Sequence, residues 1–355
     1  MAHESMNQSL PTQQWVLIKQ LVALVMVLVS VSGYDGGAIG LHDAWAGPSD
    51  GLSKGYPNKG HRFLGQFDIR NIKVPIENIL WGGVRKDGIP ALTEPRLSSW
   101  KKTPLAGPKS RVIGVVVNGE ARAYPINILD QHEIVNDILG GQPIAVVYCP
   151  LCDSASVVDR RLNGEEYQFG VSGMLYHSNV LLYDRTDHAL WSQVGFMAIT
   201  GPNAGKRLQS LDGWQISTLE VFGRQYPQAT VISDTGFTRN YSRSIYADYF
   251  ATEDVHPQFA NFQLDRRMPN KTPIIGVKLG ELARAYPLAE LAKLRGKVLT
   301  DQIGPDQAIK LALAADGGGV QIVQIPPQAQ VVHMFWFSWA AFYPDTQVYE
   351  YGGAR

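Results

Sequence analysis

A duplicated segment constrains the fold of this chain more than any other feature of its sequence. Gly114–Pro125 reads GVVVNGEARAYP, and Gly276–Pro287 reads GVKLGELARAYP. Each copy is predicted to form a strand, a tight turn and a second strand. Asn118-Gly119 is a dipeptide typical of two-residue hairpin turns, and the second copy has its turn at Gly280-Glu281.

The residues after each hairpin continue the parallel between the two copies. Each ends in Tyr-Pro, and proline is favoured at the start of a helix because its missing N–H has no partner there. We therefore expect short helices over 126–134 and 288–294. Strands are predicted to follow at 143–148 and 308–313.

These elements predict an α+β, β-rich fold with short helices packed on antiparallel or mixed sheets. We expect two related halves produced by internal duplication, 60–235 and 236–355. The first half carries an inserted Cys-x-x-Cys segment, 149–208, which is predicted to form strands and turns, with a hairpin at Asn163-Gly164. Its counterpart near Ala314-Ala315 contains no cysteine. Because only the insert is unique, function is expected there.

The N-terminus contains an apolar run, Leu21–Val31, preceded by Lys19 as its only basic residue. A bilayer span needs roughly 20 apolar residues, so the run is too short and fits the core of a signal peptide. We predict a signal peptide or an uncleaved N-terminal anchor over 1–33 and a flexible linker over 34–60. The protein is expected to be exported, to the periplasm or the extracellular space; a buried core helix is the remaining alternative.

The charge balance limits the classes of partner. The chain has 32 Lys and Arg and 32 Asp and Glu, giving no net charge. Nucleic acid is therefore not an expected partner. A redox or metal-delivery protein is the candidate partner, and membrane contact is expected only through the N-terminal segment if that segment is not cleaved.

Cys149 and Cys152 are the only cysteines in the chain. They form a redox dithiol, ligate a metal, or make a structural disulfide. An exported pair tends to be oxidised unless metal holds it. The structural disulfide is weakly motivated, since closing a loop of about four residues is worth only roughly 2 kcal/mol. The β-branched run that follows argues against a helix starting at the second cysteine, the arrangement that lowers a thiol pKa in thioredoxin-like motifs.

A metal bound here would be copper or zinc, with copper favoured. A closed zinc site wants four ligands, and no second Cys-x-x-Cys exists. Copper(I) accepts two or three soft ligands, so Met174 or His177 would suffice beside the cysteines. Further residues in the insert are predicted to line or orient the site; these are Asp153, Asp159, Arg160, Asp184, Arg185, Trp191 and Gln193.

The charged candidates have a simpler alternative interpretation. Arg160 and Arg185 could grip an anion or favour the thiolate, but cross-strand ion pairs are the commoner role of such residues. Arg122 and Arg284, repeated in the two copies, have a duplicated acid each, Asp137 and Asp301. We predict an Arg–Asp pair in each half.

Several motifs together resemble one family. They include Tyr148-Cys-Pro-Leu-Cys-Asp-Ser, Phe169-Gly-Val-Ser-Gly173, Tyr183-Asp-Arg185 and Leu190-Trp-Ser-Gln193, together with the repeated Ala-Arg-Ala-Tyr-Pro. As a set they resemble the domain-of-unknown-function 3179 family over about 63–349. The resemblance implies an exported protein without a settled activity and transfers no catalytic residue. The family often has Thr and Ser between Asp-Arg and Leu-Trp, where this chain has 186–189, TDHA.

The sequence thus predicts an exported metal-linked or thiol-redox protein that uses Cys149 and Cys152. The alternative is a non-catalytic extracytoplasmic binding module in which the two cysteines form a disulfide. The sequence identifies no catalytic residue.

Overall fold

The computed structural model describes residues 63–256, 260–313, 317 and 319–352, which belong to one compact unit. The predicted signal segment, the linker and Ala314-Ala315 lie outside the described residues. Among the residues that are described, no helix is long and apolar enough to cross a membrane.

The described chain is β-rich with a few short helices. The strands are β1 Ile79–Trp81, β2 Leu92–Thr93, β3 Arg96–Ser99, β4 Arg111–Val117, β5 Glu120–Pro125, β6 Ile134–Leu139, β7 Gln142–Cys149, β8 Ser154–Asp159, β9 Arg161–Leu162, β10 Glu165–Glu166, β11 Phe169–Tyr176, β12 Asn179–Asp184, β13 Leu190–Ser192, β14 Met197–Ala198, β15 Trp214–Thr218, β16 Thr230–Asp234, β17 Pro273–Leu279, β18 Leu282–Pro287, β19 Leu299–Gly304, β20 Gln307–Leu313, β21 Val320–Gln324, β22 Gln330–Phe335 and β23 Gln347–Val348. The helices are α1 Ile126–Leu129, α2 Leu219–Gln225, α3 Ala247–Phe250, α4 Leu288–Ala292 and α5 Trp336–Phe342, and single 3-10 turns cover Ile76–Asn78 and Pro150–Cys152.

Both predicted hairpins are confirmed. β4 and β5 pair antiparallel up to Val117 and Glu120, and the two residues between them, Asn118 and Gly119, have φ of 50° and 82°. Positive φ at both central positions defines the tight turn whose twist matches the strands. β17 and β18 pair in the same way around Gly280-Glu281.

The helix predicted over 126–134 is shorter than expected. α1 ends at Leu129, and Ile134 already begins β6. Glu133, between them, has a φ of 57°, which a helix cannot include. The apolar residues that suggested a helical face therefore belong partly to a strand. The predicted strands at 143–148 and 308–313 are confirmed as β7 and β20.

Two eight-stranded sheets form the body of the molecule, and corresponding strands follow the same order in both sheets. The first sheet has the order β19-β20-β21-β15-β4-β5-β16-β3, and the second has the order β2-β6-β7-β8-β22-β17-β18-β23. The three strands after the first hairpin join the sheet of the second hairpin, and those after the second hairpin join the sheet of the first. Each sheet thus takes strands from both 60–235 and 236–355; the division into halves stays a prediction.

The first strand of the insert, β8, belongs to the second sheet, and β11 to β14 form a third layer over that sheet. β11 to β14 make a five-stranded sheet with β1, which pairs with β11, and Asn163-Gly164 closes the predicted small hairpin of β9 and β10. One core cluster takes side chains from both large sheets. Another joins the second sheet, α5 and the five-stranded sheet, and it contains both cysteines. The cysteines therefore lie between layers, away from bulk solvent.

The predicted Arg–Asp pairs are confirmed in both hairpins. Arg122 Nη1 lies 2.7 Å from Asp137 Oδ2, and Tyr124 donates its hydroxyl proton to the same oxygen at 2.8 Å. Arg284 Nη1 lies 2.6 Å from Asp301 Oδ2, which also accepts from Tyr286. The Arg-x-Tyr spacing places both donors on one face of a strand, where one carboxylate accepts from both.

Candidate functional site

The Cys-x-x-Cys segment is the connection between two paired strands. Cys149 ends β7, Ser154 begins β8, and the two residues are opposite each other in the register. Pro150–Cys152 makes a single 3-10 turn, and Asp153 reverses the chain with a φ of 45° and ψ of 36°. Aspartate tolerates this left-handed conformation better than most residues. No α-helix begins at either cysteine, in agreement with the argument from the β-branched run.

Both cysteines are buried free thiols. Cys149 is 1% exposed and Cys152 is fully buried. Cys149 Sγ lies 3.9 Å from the carbonyl oxygen of Ser178, in the turn that joins β11 to β12. That turn has positive φ at both His177 and Ser178, the backbone form of a two-residue hairpin. The five-stranded sheet thereby places its hairpin end over the cysteines.

Polar groups from β8 and from the five-stranded sheet surround the Cys152 sulfur. Asn179 donates from Nδ2 to Cys152 Sγ at 3.1 Å, and the Ser154 hydroxyl lies 3.4 Å from the same sulfur. Gln193 Oε1 accepts from Ser154 and Asn179 at 2.7 and 3.0 Å. Gln193 is itself held by the carbonyls of Val147 and Ser154. Hydrogen bonds within the protein thus hold the side-chain amides of Asn179 and Gln193 in place.

The pKa values of the two thiols are shifted in opposite directions. Burial raises the pKa of the Cys149 thiol, and the hydrogen bond and charge of Cys152 raise it further. Burial also raises the pKa of Cys152, but hydrogen bonds from Cys149, Ser154, Asn179 and Ser338 outweigh burial and bring it below its ordinary value. Of the two thiols, Cys152 is therefore the more acidic, and Cys149 holds its proton more tightly.

A small cavity of about 40 Å³ borders Cys149, and Glu133 lines it. The cavity has room for a water molecule or the head of a small thiol. Glu133 is 8% exposed, and its Oε2 has no hydrogen-bond partner in the described part of the chain. Burial, and then the charge of Cys152, raise the pKa of Glu133 to about 8. A protonated carboxyl group thus lies beside the thiol at neutral pH.

Asp153 anchors the other side of the Cys loop. Its carboxylate accepts from Arg111 at 3.0 and 3.2 Å and from the Tyr148 hydroxyl at 2.7 Å, and His333 Nε2 lies 3.3 Å away. Burial alone would raise the pKa of Asp153, but the charge of Arg111 and the contacts of His333 hold it well below its ordinary value. The loop is thereby tied to β4, β7 and β22.

Asp153 predicts how the stability of the protein depends on pH. Its lowered pKa stabilises the fold above the unfolded value near about 4, and that contribution is lost as pH falls further. We expect Asp153→Asn to be less stable than the wild type at pH 7, and the difference to shrink below about pH 4. Urea unfolding at both pH values measures it; a difference that does not change with pH would show that the charge of Asp153 contributes nothing.

The structure brings only some of the predicted ligands to the cysteines. Met174 lines the same cavity as Cys149. The ring of His177 packs against aromatic neighbours, with Tyr176 at 4.0 Å and Phe342 at 5.0 Å between centroids. Its Nδ1 has no partner among the described residues, and burial lowers its pKa to about 4. Gln193 and Asp153 are at the site, as described above.

The remaining charged candidates make their contacts elsewhere. Asp159 pairs with Arg161 at 2.6 Å, and Arg160 donates to three backbone carbonyls and pairs with Glu166. Asp184 accepts from the indole of Trp191 at 2.8 Å. Arg185 pairs with Asp87 at 2.9 Å. The described contacts thus favour the ion-pair and core interpretations of these five residues over a role at the thiols; they are Asp159, Arg160, Asp184, Arg185 and Trp191.

Several site residues were not predicted from the sequence. Glu133 follows a short helix, Asn179 and Ser338 come from distant elements, and His333 faces Asp153. Their residue types are common in any fold, so only the tertiary structure identifies them. Within the described residues, no group of three or more His, Cys, Asp or Glu side chains is arranged to hold a metal ion.

Comparison with known proteins yields one match. A family model described as a protein of unknown function, DUF3179, matches residues 86–330. No curated protein and no solved structure matches the chain. The matched region contains both hairpins, the Cys loop and the strands β11 to β14 of the five-stranded sheet. Since it covers most of the sequence, the chain belongs to the DUF3179 family.

Proposed function

We propose that this protein is an exported thiol oxidant whose redox group is the Cys149–Cys152 pair. The observation that supports the proposal best is the set of hydrogen bonds to Cys152. Asn179 donates to the Cys152 sulfur at 3.1 Å, and the contacts of Cys152 with Cys149, Ser154 and Ser338 also favour a thiolate that burial alone would disfavour. A stabilised thiolate in the reduced form makes the corresponding disulfide a better oxidant.

The positions of the two sulfurs suggest the direction of the reaction. A substrate thiolate attacks the Cys149 sulfur of the Cys149–Cys152 disulfide, on the side of the cavity, and Cys152 leaves as the thiolate. A low pKa makes Cys152 the better leaving group. A second substrate thiolate then attacks the mixed disulfide, so that the substrate leaves as a disulfide and Cys149 as a thiolate. Two electrons pass from two thiols to the protein.

Glu133 supplies the proton that completes this sequence. Its carboxyl group, protonated at neutral pH, donates to the Cys149 thiolate as it is released and is reprotonated from solvent. The product is the Cys149 thiol and the Cys152 thiolate. The position of Glu133 beside Cys149 in the cavity supports this role.

Glu133→Gln should change the pH profile of the reaction. The rate of reduction per substrate thiolate is expected to fall in the wild type as pH rises through about 8, because Glu133 then loses its proton. The variant should be slower at pH 7 and lack this fall. Stopped-flow reduction by a small thiol, from pH 6 to about 9, measures both. Identical profiles would rule out Glu133 as the proton donor.

The same substitution has a stability effect of known sign. A carboxyl group whose folded pKa is raised stabilises the fold fully at low pH, and the contribution is lost as pH rises toward about 8. Glu133→Gln should therefore gain stability relative to the wild type as pH increases. This gain provides a control that the variant folds and that Glu133 is buried in solution.

Copper binding is the second candidate function. Met174 lines the cavity beside Cys149, and a thioether with two thiolates is a donor set that Cu(I) accepts. The contact supports a Cu(I) site but not a closed zinc site, since zinc needs four ligands. Cys149, Cys152 and Met174 would be its ligands.

One variant, compared with the wild type, separates the two candidates. Met174→Leu keeps the apolar volume but removes the thioether, so it should weaken Cu(I) binding and leave thiol exchange intact. Protein purified anaerobically would be analysed for metal and for free thiols in parallel. Copper at one equivalent that is lost in Met174→Leu favours the metal function. Reversible thiol oxidation without metal favours the redox function, and blocked thiols without cycling favour the non-catalytic binding module.

We further propose that the two hairpin regions arose by duplication. Their sheets share one order of pairing, and each Arg–Asp pair has its counterpart. Gly114 lies against the ring of Phe222 and Gly276 against Trp339, where an added Cβ would come within 2.3 and 2.4 Å. Close approach of an aromatic ring at the same strand position supports a common origin.

We also propose that the protein is exported through its N-terminal segment, and cell fractionation tests this.

A further inference from the structure

A second cavity lies on the far side of the Arg111–Asp153 pair. It is open to solvent, its volume is about 580 Å³, and it is bordered by the start of β4, by α1 and by the segment 241–250, which includes α3. Leu105, Ile126 and Phe250 provide apolar walls. Cavities of roughly 300–1,000 Å³ with apolar walls and a few converging polar groups typically take small organic molecules.

Asp130 lines this cavity as a buried acid without a hydrogen-bond partner. It is 1% exposed, and neither carboxylate oxygen has a partner in the described part of the chain. Burial raises the pKa of Asp130 to about 6; the nearby Ser244 hydroxyl offsets only part of this and makes no hydrogen bond of ordinary geometry to the carboxylate. Desolvating a carboxylate without pairing it is costly, so the arrangement points to a donor that the protein itself does not supply.

The nearest cation does not satisfy Asp130. Arg111 directs both terminal nitrogens to Asp153, at 3.0 and 3.2 Å, and no ion pair with Asp130 forms among the described residues. A second acceptor in the same wall is also unpaired: Asn127 donates to two backbone carbonyls, but its Oδ1 has no described partner. Arg243 also lines the cavity but forms no ion pair with Asp130 among the described residues, so the wall carries three acceptor oxygens that lack a donor.

We propose that this cavity is a binding site for a small organic ammonium compound. The ammonium group donates to Asp130, and to Asn127 Oδ1 where its geometry allows, while the alkyl part packs against Leu105, Ile126 and Phe250. A hydrogen bond between charged groups in a buried site is stronger than one between neutral groups. A bound ammonium group therefore supplies the donor that Asp130 lacks among the described residues. The site is separate from the dithiol proposal and stands or falls independently of it.

Calorimetric titration of the full chain with two matched probes tests the proposal. The probes are 4-aminobutan-1-ol and 1,4-butanediol, which differ by one ammonium group in place of a hydroxyl. We expect the aminoalcohol to bind and the diol to bind at least about tenfold more weakly. Asp130→Asn should weaken aminoalcohol binding by about tenfold or more and leave the diol unchanged. Asp345→Asn, an exposed acid that does not line the cavity, is the control.

A second variant tests the proposal even if Asp130→Asn folds poorly. Ala247 lies in the cavity wall, and Ala247→Trp should fill the space and abolish binding while Asp130 keeps its charge. Equal affinity for the two probes would overturn the proposal. So would an affinity that Asp130→Asn leaves unchanged, or no binding of the aminoalcohol to the wild type.

Discussion

Asp137→Ala should lower the free energy of unfolding by about 3–5 kcal/mol, the usual cost of removing one partner of a buried ion pair. The side chains of Arg122 and Asp137 are only 7% and 4% exposed, and Tyr124 loses its acceptor as well. The guanidinium would be left buried with only the half-exposed Glu120 as a charged partner. Urea unfolding at pH 7 measures the loss.

The second hairpin supplies the control for this prediction. Asp301→Ala removes the equivalent carboxylate, but the side chain of Arg284 is 20% exposed and can be hydrated. We expect a clearly smaller loss there, since solvent screens the remaining charge. Equal losses at the two positions would show that burial does not set the cost. A negligible loss at Asp137 would contradict the account of both pairs.

Cys149→Ser and Cys152→Ser should each abolish disulfide exchange, since either change removes one sulfur of the redox pair. They should differ in what they leave behind. Cys149→Ser places a serine hydroxyl where Cys149 made its hydrogen bond to Cys152 and keeps the Asn179 donor, so the remaining thiol should ionise at the lower pKa of the two variants. Cys152→Ser keeps Cys149, which burial holds as a thiol of raised pKa. Thiolate absorbance against pH distinguishes the two variants.

A matched substitution tests the donors themselves. Asn179→Ala removes the amide that donates to Cys152 Sγ at 3.1 Å and leaves both sulfurs in place. We expect the pKa of Cys152 to rise and the disulfide to become a weaker oxidant, with exchange still measurable. If the pKa of Cys152 is unchanged in this variant, the hydrogen bonds do not stabilise the thiolate.

Local sequence predicted the parts of the fold that local interactions determine. The hairpin at Asn118-Gly119 was predictable because few dipeptides adopt positive φ at both positions. The equally tight turn at His177-Ser178 was not, because neither residue type favours it. The helix after Tyr124-Pro125 was predicted too long, because Ile134 and Val135 fit either a helical face or a strand.

The site was predictable only where it lies in one stretch of sequence. The Cys-x-x-Cys motif identified Cys149 and Cys152, and the position of Gln193 in the insert predicted that it lines the site. Ser338 and Glu133 reach the same place through the packing of α5 and the turn before β6. The sequence also made Arg160 and Arg185 candidates for the site. In the structure, Arg160 donates to backbone carbonyls and Arg185 pairs with Asp87. Convergence of distant elements is a property of the tertiary structure and leaves no mark in the local sequence.

The reduction potential of the Cys149–Cys152 pair tests the proposed function most directly. Protein equilibrated in glutathione buffers of graded potential would be trapped with an alkylating agent and analysed by mass spectrometry. We expect a reversible two-electron transition between the dithiol and an intramolecular disulfide, at a potential above the value of about −300 mV below which structural disulfides lie. A pair that stays reduced at every potential, or that stays disulfide-bonded below about −300 mV, would contradict the proposal.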